Sequence, residues 1–170
     1  FEPHPLKIIA PQKEPPLLTA FSKKMELIKN SEIEMVICAD FTREFANQHP
    51  YNFVKDILID KIVVKEIYVG ENFSFGKAKQ GTFKFLRQMG EKFGFSTKIV
   101  NPVLFNNKIV SSTLIRKLIE KGKLESVKHL LGRYYSIEGK VVEGKSKGKD
   151  LGYPTANLIT LDQLIPLQGV

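Results

Sequence analysis

An alternation of apolar patterns along the chain constrains its fold most. Ile33-Glu-Met-Val-Ile-Cys-Ala39, Lys65-Glu-Ile-Tyr-Val69 and Phe95 to Val100 are short apolar runs of strand length. Helical spacing follows each of them, in Phe53, Val54, Ile57 and Leu58, then Phe85, Leu86 and Met89, then Leu114, Ile115, Leu118 and Ile119. Strand–helix repeated three times implies a parallel sheet with helices on both faces. The continuous apolar end of Ile33–Ala39 fits a strand covered on both sides, with Cys38 buried in it. Ahead of these repeats, Thr19 is placed to cap a helix running to Asn30, with Phe21, Met25 and Ile28 inward, and Pro50 suits a first helical turn. The pattern changes between Leu131 and Tyr134. Tyr135 to Glu143 then alternates like a strand, and the rest has no helical period, so a second, β-rich domain is expected to begin there.

Within this frame the stretch Lys108 to Gly122 carries the most chemistry. It reads as the end of a buried strand entering a helix over Ser111 to Lys121, with Gly122 as the stop. Ser111 and Ser112 are N-cap residues by type, and Ser112 and Arg116 are four apart, hence on one side of the helix, with Thr113 on the same polar half. Hydroxyls, a guanidinium and free N–H groups at the positive end of a helix suit a phosphate. Taken alone, the same residues more simply describe an ordinary capped helix with a solvated arginine, since capping serines are common.

Two loops stand out beside it. Gly70-Glu-Asn-Phe-Ser-Phe-Gly76 follows a strand directly, where open α/β sheets bind ligands. Its glycines allow close approach, Phe73 and Phe75 can stack on a planar group, and Asn72 offers a donor and an acceptor. As a phosphate loop it is a weak match, because no Gly-Lys-Ser/Thr follows and no helix starts at once. Phe1-Glu-Pro-His-Pro5 holds His4 extended between two prolines. Farther on, Gly144 to Gly152 is a glycine- and lysine-rich loop leading into Tyr153-Pro-Thr-Ala-Asn157, whose Thr155 and Asn157 oxygens could ligate a hard cation.

The formal charge is +8, and Lys108 to Asp150 holds eleven Lys/Arg against five Asp/Glu. Such a basic stretch fits phosphorylated small molecules, acidic surfaces or nucleic acid, or simply a solvated face. Few aromatic residues interleave these lysines, which disfavours nucleic acid. No apolar run approaches a membrane span, and a single cysteine permits no internal disulfide, which together suit a cytoplasmic protein without membrane partners. The chain starts at Phe1 and stops at Gly169-Val170 without a helix end, so a fragment at both ends is expected. Oligomeric state is not legible.

Four stretches, in order, resemble the prokaryotic bifunctional riboflavin kinase/FAD synthetase family. They are Phe1-Glu-Pro-His-Pro5, Gly70 to Gly76, Val110-Ser-Ser-Thr-Leu-Ile-Arg116, and Leu130-Leu-Gly-Arg-Tyr134 through Gly148-Lys-Asp-Leu-Gly-Tyr-Pro-Thr-Ala-Asn157. The resemblance implies a Rossmann-like nucleotidyltransferase domain over 1–132, which joins AMP from ATP to FMN. It also implies the start of an antiparallel β-barrel riboflavin kinase domain over 133–170. By the same resemblance Ser111, Ser112, Thr113 and Arg116 bind ATP phosphates for adenylylation. Phe1, His4, Pro5, Gly70, Asn72, Phe73, Phe75 and Gly76 border flavin and nucleotide. Gly144, Lys149, Gly152 and Pro154 belong to the kinase ATP loop, and Thr155 and Asn157 hold Mg²⁺. ATP, riboflavin and FMN are then substrates and FAD a product. The family's His-x-Gly-His motif would lie upstream of Phe1 and its kinase acid beyond Val170. The rival readings are a nucleotidyltransferase for another phosphorylated substrate, a basic nucleic-acid binder and a non-catalytic flavin-binding module.

Overall fold

The computed structural model describes residues 1–142, 156–160 and 162–167. In chain order the elements are α1 (Pro5–Ile9), α2 (Phe21–Lys29), α3 (Arg43–Ala46), α4 (Pro50–Asn52), β1 (Glu66–Gly70), β2 (Ser74–Phe75), β3 (Gly81–Thr82), α5 (Phe83–Phe93), β4 (Ser96–Val100), β5 (Leu104–Phe105), β6 (Lys108–Ile109), α6 (Ser112–Glu120), α7 (Leu124–Leu131), β7 (Gly139–Val142) and β8 (Asn157–Thr160). The architecture is mixed α/β. β1 and β4 pair in parallel, Glu66 opposite Ser96 through Gly70 opposite Val100, whereas β2–β3 and β7–β8 pair antiparallel.

The chain divides into two compact units, Phe1–Glu14 with Ile37–Leu104, and Pro15–Val36 with Phe105–Val170. In the first, Val54, Val69, Leu86 and Phe95 are buried, with Phe53, Leu58, Phe75, Phe85 and Met89 packed around them. Each such side chain contributes about 1.5–3 kcal/mol by leaving water. Thr82 caps α5 by accepting the Phe85 N–H at 3.3 Å. Gly90 lets α5 lie against the chain at Phe95, whose carbonyl oxygen would be 2.4 Å from any added Cβ. After α4 the helix continues over Phe53–Ile59 with π winding, in which Asp60 N–H reaches the Lys55 carbonyl and Ile62 N–H the Ile57 carbonyl. In the second unit, Ile115 and Ile119 of α6 and Val127 of α7 form the core, joined by Leu18, Leu118 and Leu130.

Several expectations are corrected. The parallel sheet has two strands among the described residues, where three strand–helix repeats implied more. Ile33–Ala39 forms no strand: Met35 is 76% and Ile37 61% exposed, and Cys38 is exposed rather than buried. An apolar run becomes a strand only where a partner meets its backbone. Here pairing is limited to a parallel bridge between Glu2 and Asp40, with Glu2 N–H on the Ala39 carbonyl and Phe41 N–H on the Glu2 carbonyl. The segment before α6 is also exposed, Ile109 at 56%, because β5 and β6 form a short hairpin turned by Asn106 and Asn107, both with positive φ. Thr19 does not cap α2; Ala20 holds that position, and the Thr19 hydroxyl accepts from Arg133 Nη2 at 3.0 Å. The strand expected from Tyr135 begins only at Gly139. Its earlier residues bond side chains and loops instead: Tyr135 Oη donates to the Leu164 carbonyl at 2.6 Å, and Gln163 accepts from Glu138 N–H at 2.7 Å and donates to the Ser136 carbonyl at 3.2 Å.

Candidate functional site

The first unit builds a cavity from rings. β1 delivers the chain to a turn in which Phe73 N–H donates to the Gly70 carbonyl at 3.0 Å. β2 then pairs with β3, so Ser74 and Phe75 are fixed by backbone hydrogen bonds rather than left on a free loop. Gly76 closes the segment with φ +68°, and an added Cβ would stand 2.8 Å from Pro50 Cγ. That position therefore demands glycine twice over, by conformation and by space. Against this ledge lies a cavity of about 250 Å³, whose lining includes Phe1, Pro5, Phe41, Phe45, Phe53, Phe73, Phe75, Gly76 and Lys79.

The rings form a continuous series. Phe1 meets Phe41 and Phe45 with centroids 5.3 and 5.4 Å apart, Phe45 meets Phe53 at 6.1 Å, and Phe53 meets Phe75 at 5.3 Å. Phe73 and Phe75 stack at 5.5 Å with 27° between planes. Such a wall offers edges and faces to a flat aromatic ligand and few hydrogen bonds to fix it, so its recognition is by shape and stacking.

Of the residues nominated from the sequence, Phe1, Pro5, Phe73, Phe75 and Gly76 are gathered in this cavity. His4, Gly70 and Asn72 do not line it. The His4 imidazole is used locally, its Nδ1 accepting the Leu6 N–H at 3.2 Å to cap α1. Asn72 is exposed beside the turn. Phe41, Phe45, Phe53 and Lys79 were missed. The spacing of Phe53 places it in a helix stripe, and the crowding of phenylalanines between Phe41 and Phe53 is the signal the sequence offers.

The second unit carries a polar site on the start of α6. Ser111 is the N-cap, its Oγ accepting the Leu114 N–H at 3.3 Å. Ser112 and Thr113 stand exposed in the first turn while Ile115 and Ile119 anchor the opposite face. Arg116 is half-buried and donates through Nε to the Pro16 carbonyl at 3.0 Å, which leaves its two terminal nitrogens for an anion. Gly144, Lys149, Gly152, Pro154 and Thr155 lie outside the described residues. Asn157 is exposed at the first position of β8, opposite Val142. No group of three or more His, Cys, Asp or Glu able to hold a metal occurs among the described residues.

Taken by itself, the cavity of the first unit has the shape and lining to suit a flat, largely apolar group, and the start of α6 in the second unit has the groups to suit an anion. Comparison with known families makes the assignment specific. The FAD synthetase family model matches residues 1–114, and the riboflavin kinase model matches residues 131–170. The chain belongs to the FAD synthetase family. It is 38% identical, over 99% of its length, to a bifunctional riboflavin kinase/FMN adenylyltransferase of Buchnera aphidicola subsp. Schizaphis graminum. It is 34% identical over its full length to the protein of that description from Escherichia coli K12. It spans 54% of the length of each of these relatives. Among solved structures, one described as a macrolide-efflux protein from Streptococcus pneumoniae superposes with a TM-score of 0.75 at 30% identity, over 89% of this chain and 49% of that one. Among the described residues no helix is long and apolar enough to cross a membrane.

Proposed function

We propose that the protein of which this chain is part makes FAD, by transferring AMP from ATP to FMN, and makes FMN, by phosphorylating riboflavin. The observation that carries the reading is the ring-lined cavity at the Gly70–Gly76 segment, which suits a flavin ring. The family match and the names of the relatives support it. On this reading residues 1–132 form a nucleotidyltransferase domain of Rossmann type and residues 133–170 begin a kinase barrel.

In adenylyl transfer an FMN phosphate oxygen attacks the α-phosphorus of ATP. The bond to the β-phosphate oxygen breaks, and pyrophosphate leaves with the electron pair. The protein's task is alignment and compensation of charge rather than covalent chemistry. Phe1, Phe73 and Phe75 hold the flavin ring. The N–H groups and hydroxyls of Ser111, Ser112 and Thr113 and the guanidinium of Arg116 hold ATP phosphates. In the kinase half Thr155 and Asn157 would be the oxygen ligands of a Mg²⁺ ion, which would offset the charge of the ATP phosphates. There the riboflavin 5′-hydroxyl loses its proton to a base and attacks the γ-phosphorus, releasing ADP. The partners are small molecules and not nucleic acid, and the compartment is the cytoplasm.

The test uses the full-length protein with Mg²⁺. Chromatography of a reaction with FMN and ATP should show FAD and pyrophosphate. A separate reaction with riboflavin and ATP should show FMN. Absence of FAD from the first sinks the synthetase reading, and absence of FMN from the second sinks the kinase reading.

A further inference from the structure

Beside the ring-lined cavity lies a second one of about 480 Å³, lined by Ile8, Ile9, Arg43, Ala46, Asn47, Gly76, Ala78 and Lys79. The two share Ile9, Ala46, Gly76 and Lys79, so the second hollow adjoins the first. Their characters differ. The first is walled by phenylalanines, and the second brings an arginine, a lysine and an amide to one hollow. Neither lining includes an aspartate or glutamate. The ion pairs of the described residues, such as Lys55 with Asp60 and Lys98 with Glu66, leave Arg43 and Lys79 without a carboxylate.

The backbone that carries Lys79 is unusual. Ala78 and Lys79 both have positive φ, at 52° and 58°, two and three residues after Gly76 at 68°. Non-glycine residues adopt that conformation when surrounding structure requires it, and such outliers concentrate at ligand sites. The Lys79 N–H donates to the Gly76 carbonyl at 3.0 Å, which ties the lysine to the ledge of the aromatic cavity. Arg43 opens α3, whose Ala46 lines both cavities.

We propose that Arg43 and Lys79 receive the terminal phosphate of the flavin and so make this pocket select FMN over unphosphorylated flavin. The inference rests on the flavin reading of the aromatic cavity and adds to it a source of specificity. Phenylalanine rings bind the flavin ring but cannot tell whether its side chain ends in a hydroxyl or a phosphate. A doubly charged phosphate needs cations, and a guanidinium fork with a mobile ammonium supplies them. Because both cations are exposed, their contribution should weaken as salt rises.

The experiment is steady-state FAD formation by the full-length protein at saturating ATP and Mg²⁺, comparing the wild type with R43A/K79A and R43K/K79R. Lumiflavin, which has the ring without the ribityl phosphate, serves as the competitor. The proposal expects the KM for FMN to rise about tenfold in R43A/K79A, the loss of a charged contact. The inhibition constant of lumiflavin should stay at its wild-type value, and R43K/K79R should recover most of the affinity. The wild-type KM should rise more steeply with KCl than that of R43A/K79A. An unchanged KM overturns the proposal. So does an equal rise in KM and in the lumiflavin constant, which would mean that the substitutions disturb the rings. A wild-type protein that forms no FAD removes the flavin reading and this inference with it.

Discussion

Six phenylalanines line the cavity of the first unit, whereas the start of α6 in the second presents two serines, a threonine and an arginine. A ligand in the cavity would be held by excluding water from flat surfaces, and the cavity's position is set by packing: Phe53 and Phe75 also pack against the Val54–Leu86 core. An anion at the helix start would be held by N–H groups and charge, and the position of that start is set by one apolar stripe, Ile115 and Ile119, on the far side of α6. The first kind of site is therefore sensitive to core volume and backbone conformation. The second is sensitive to single polar atoms. The contrast is tested by substitutions that touch one region while the ligand of the other is measured.

The largest effect is expected from the cores. Leu86 is 1% exposed and Ile119 fully buried, so Leu86→Ala and Ile119→Ala should each cost about 2–5 kcal/mol in denaturant unfolding. If the contrast holds, Leu86→Ala also raises the KM for FMN, while Ile119→Ala raises chiefly the KM for ATP. Next comes Gly76→Ala, which must hold alanine at φ +68° against Pro50. It should cost about 1–3 kcal/mol and weaken flavin binding without changing the KM for ATP. Smaller again is Ser111→Ala, which leaves the Leu114 N–H without its cap. A loss of about 1 kcal/mol is expected, with a higher KM for ATP and an unaltered one for FMN.

The smallest effect lies away from both sites. Glu66 is held down to about 2 by hydrogen bonds from Lys98, Tyr68 and Ser96. A depressed carboxylate contributes stability that is complete above its unfolded value and fades as pH falls toward its folded one. Glu66→Gln should therefore flatten the loss of stability between about pH 4.5 and about pH 2, leave the neutral-to-alkaline shape unchanged, and alter neither KM. Melting temperatures of both forms across that range provide the check.

Much of the helical frame was legible because helix periodicity is local. The stripe Leu114, Ile115, Leu118 and Ile119 and its serine cap appear in the structure as read, as do Leu86 and Met89 facing inward on α5. Strands were read less well, since an apolar run does not state its partner. Lys65–Val69 found one in β4 and became a strand, and Ile33–Ala39 did not. In the candidate site, the residues of the Gly70–Gly76 loop signalled themselves through composition, and three of the five gathered nominees come from the chain ends of motifs already noted. Phe41, Phe45 and Lys79 were hidden because their role depends on where α3 and the Gly76–Lys79 turn bring them, a matter of tertiary placement without a motif.

The central claim is that flavin is held by the ring-lined cavity and ATP phosphates by the start of α6. Its most direct measurement is the initial rate of FAD formation by the full-length protein over a grid of FMN and ATP concentrations, for Phe75→Ala and Arg116→Ala. The account predicts that Phe75→Ala raises the KM for FMN and spares that for ATP. It predicts that Arg116→Ala slows FAD formation and raises the KM for ATP while riboflavin phosphorylation continues at the wild-type rate. It would be contradicted if either variant raised both KM values equally, or if Arg116→Ala slowed the two reactions alike.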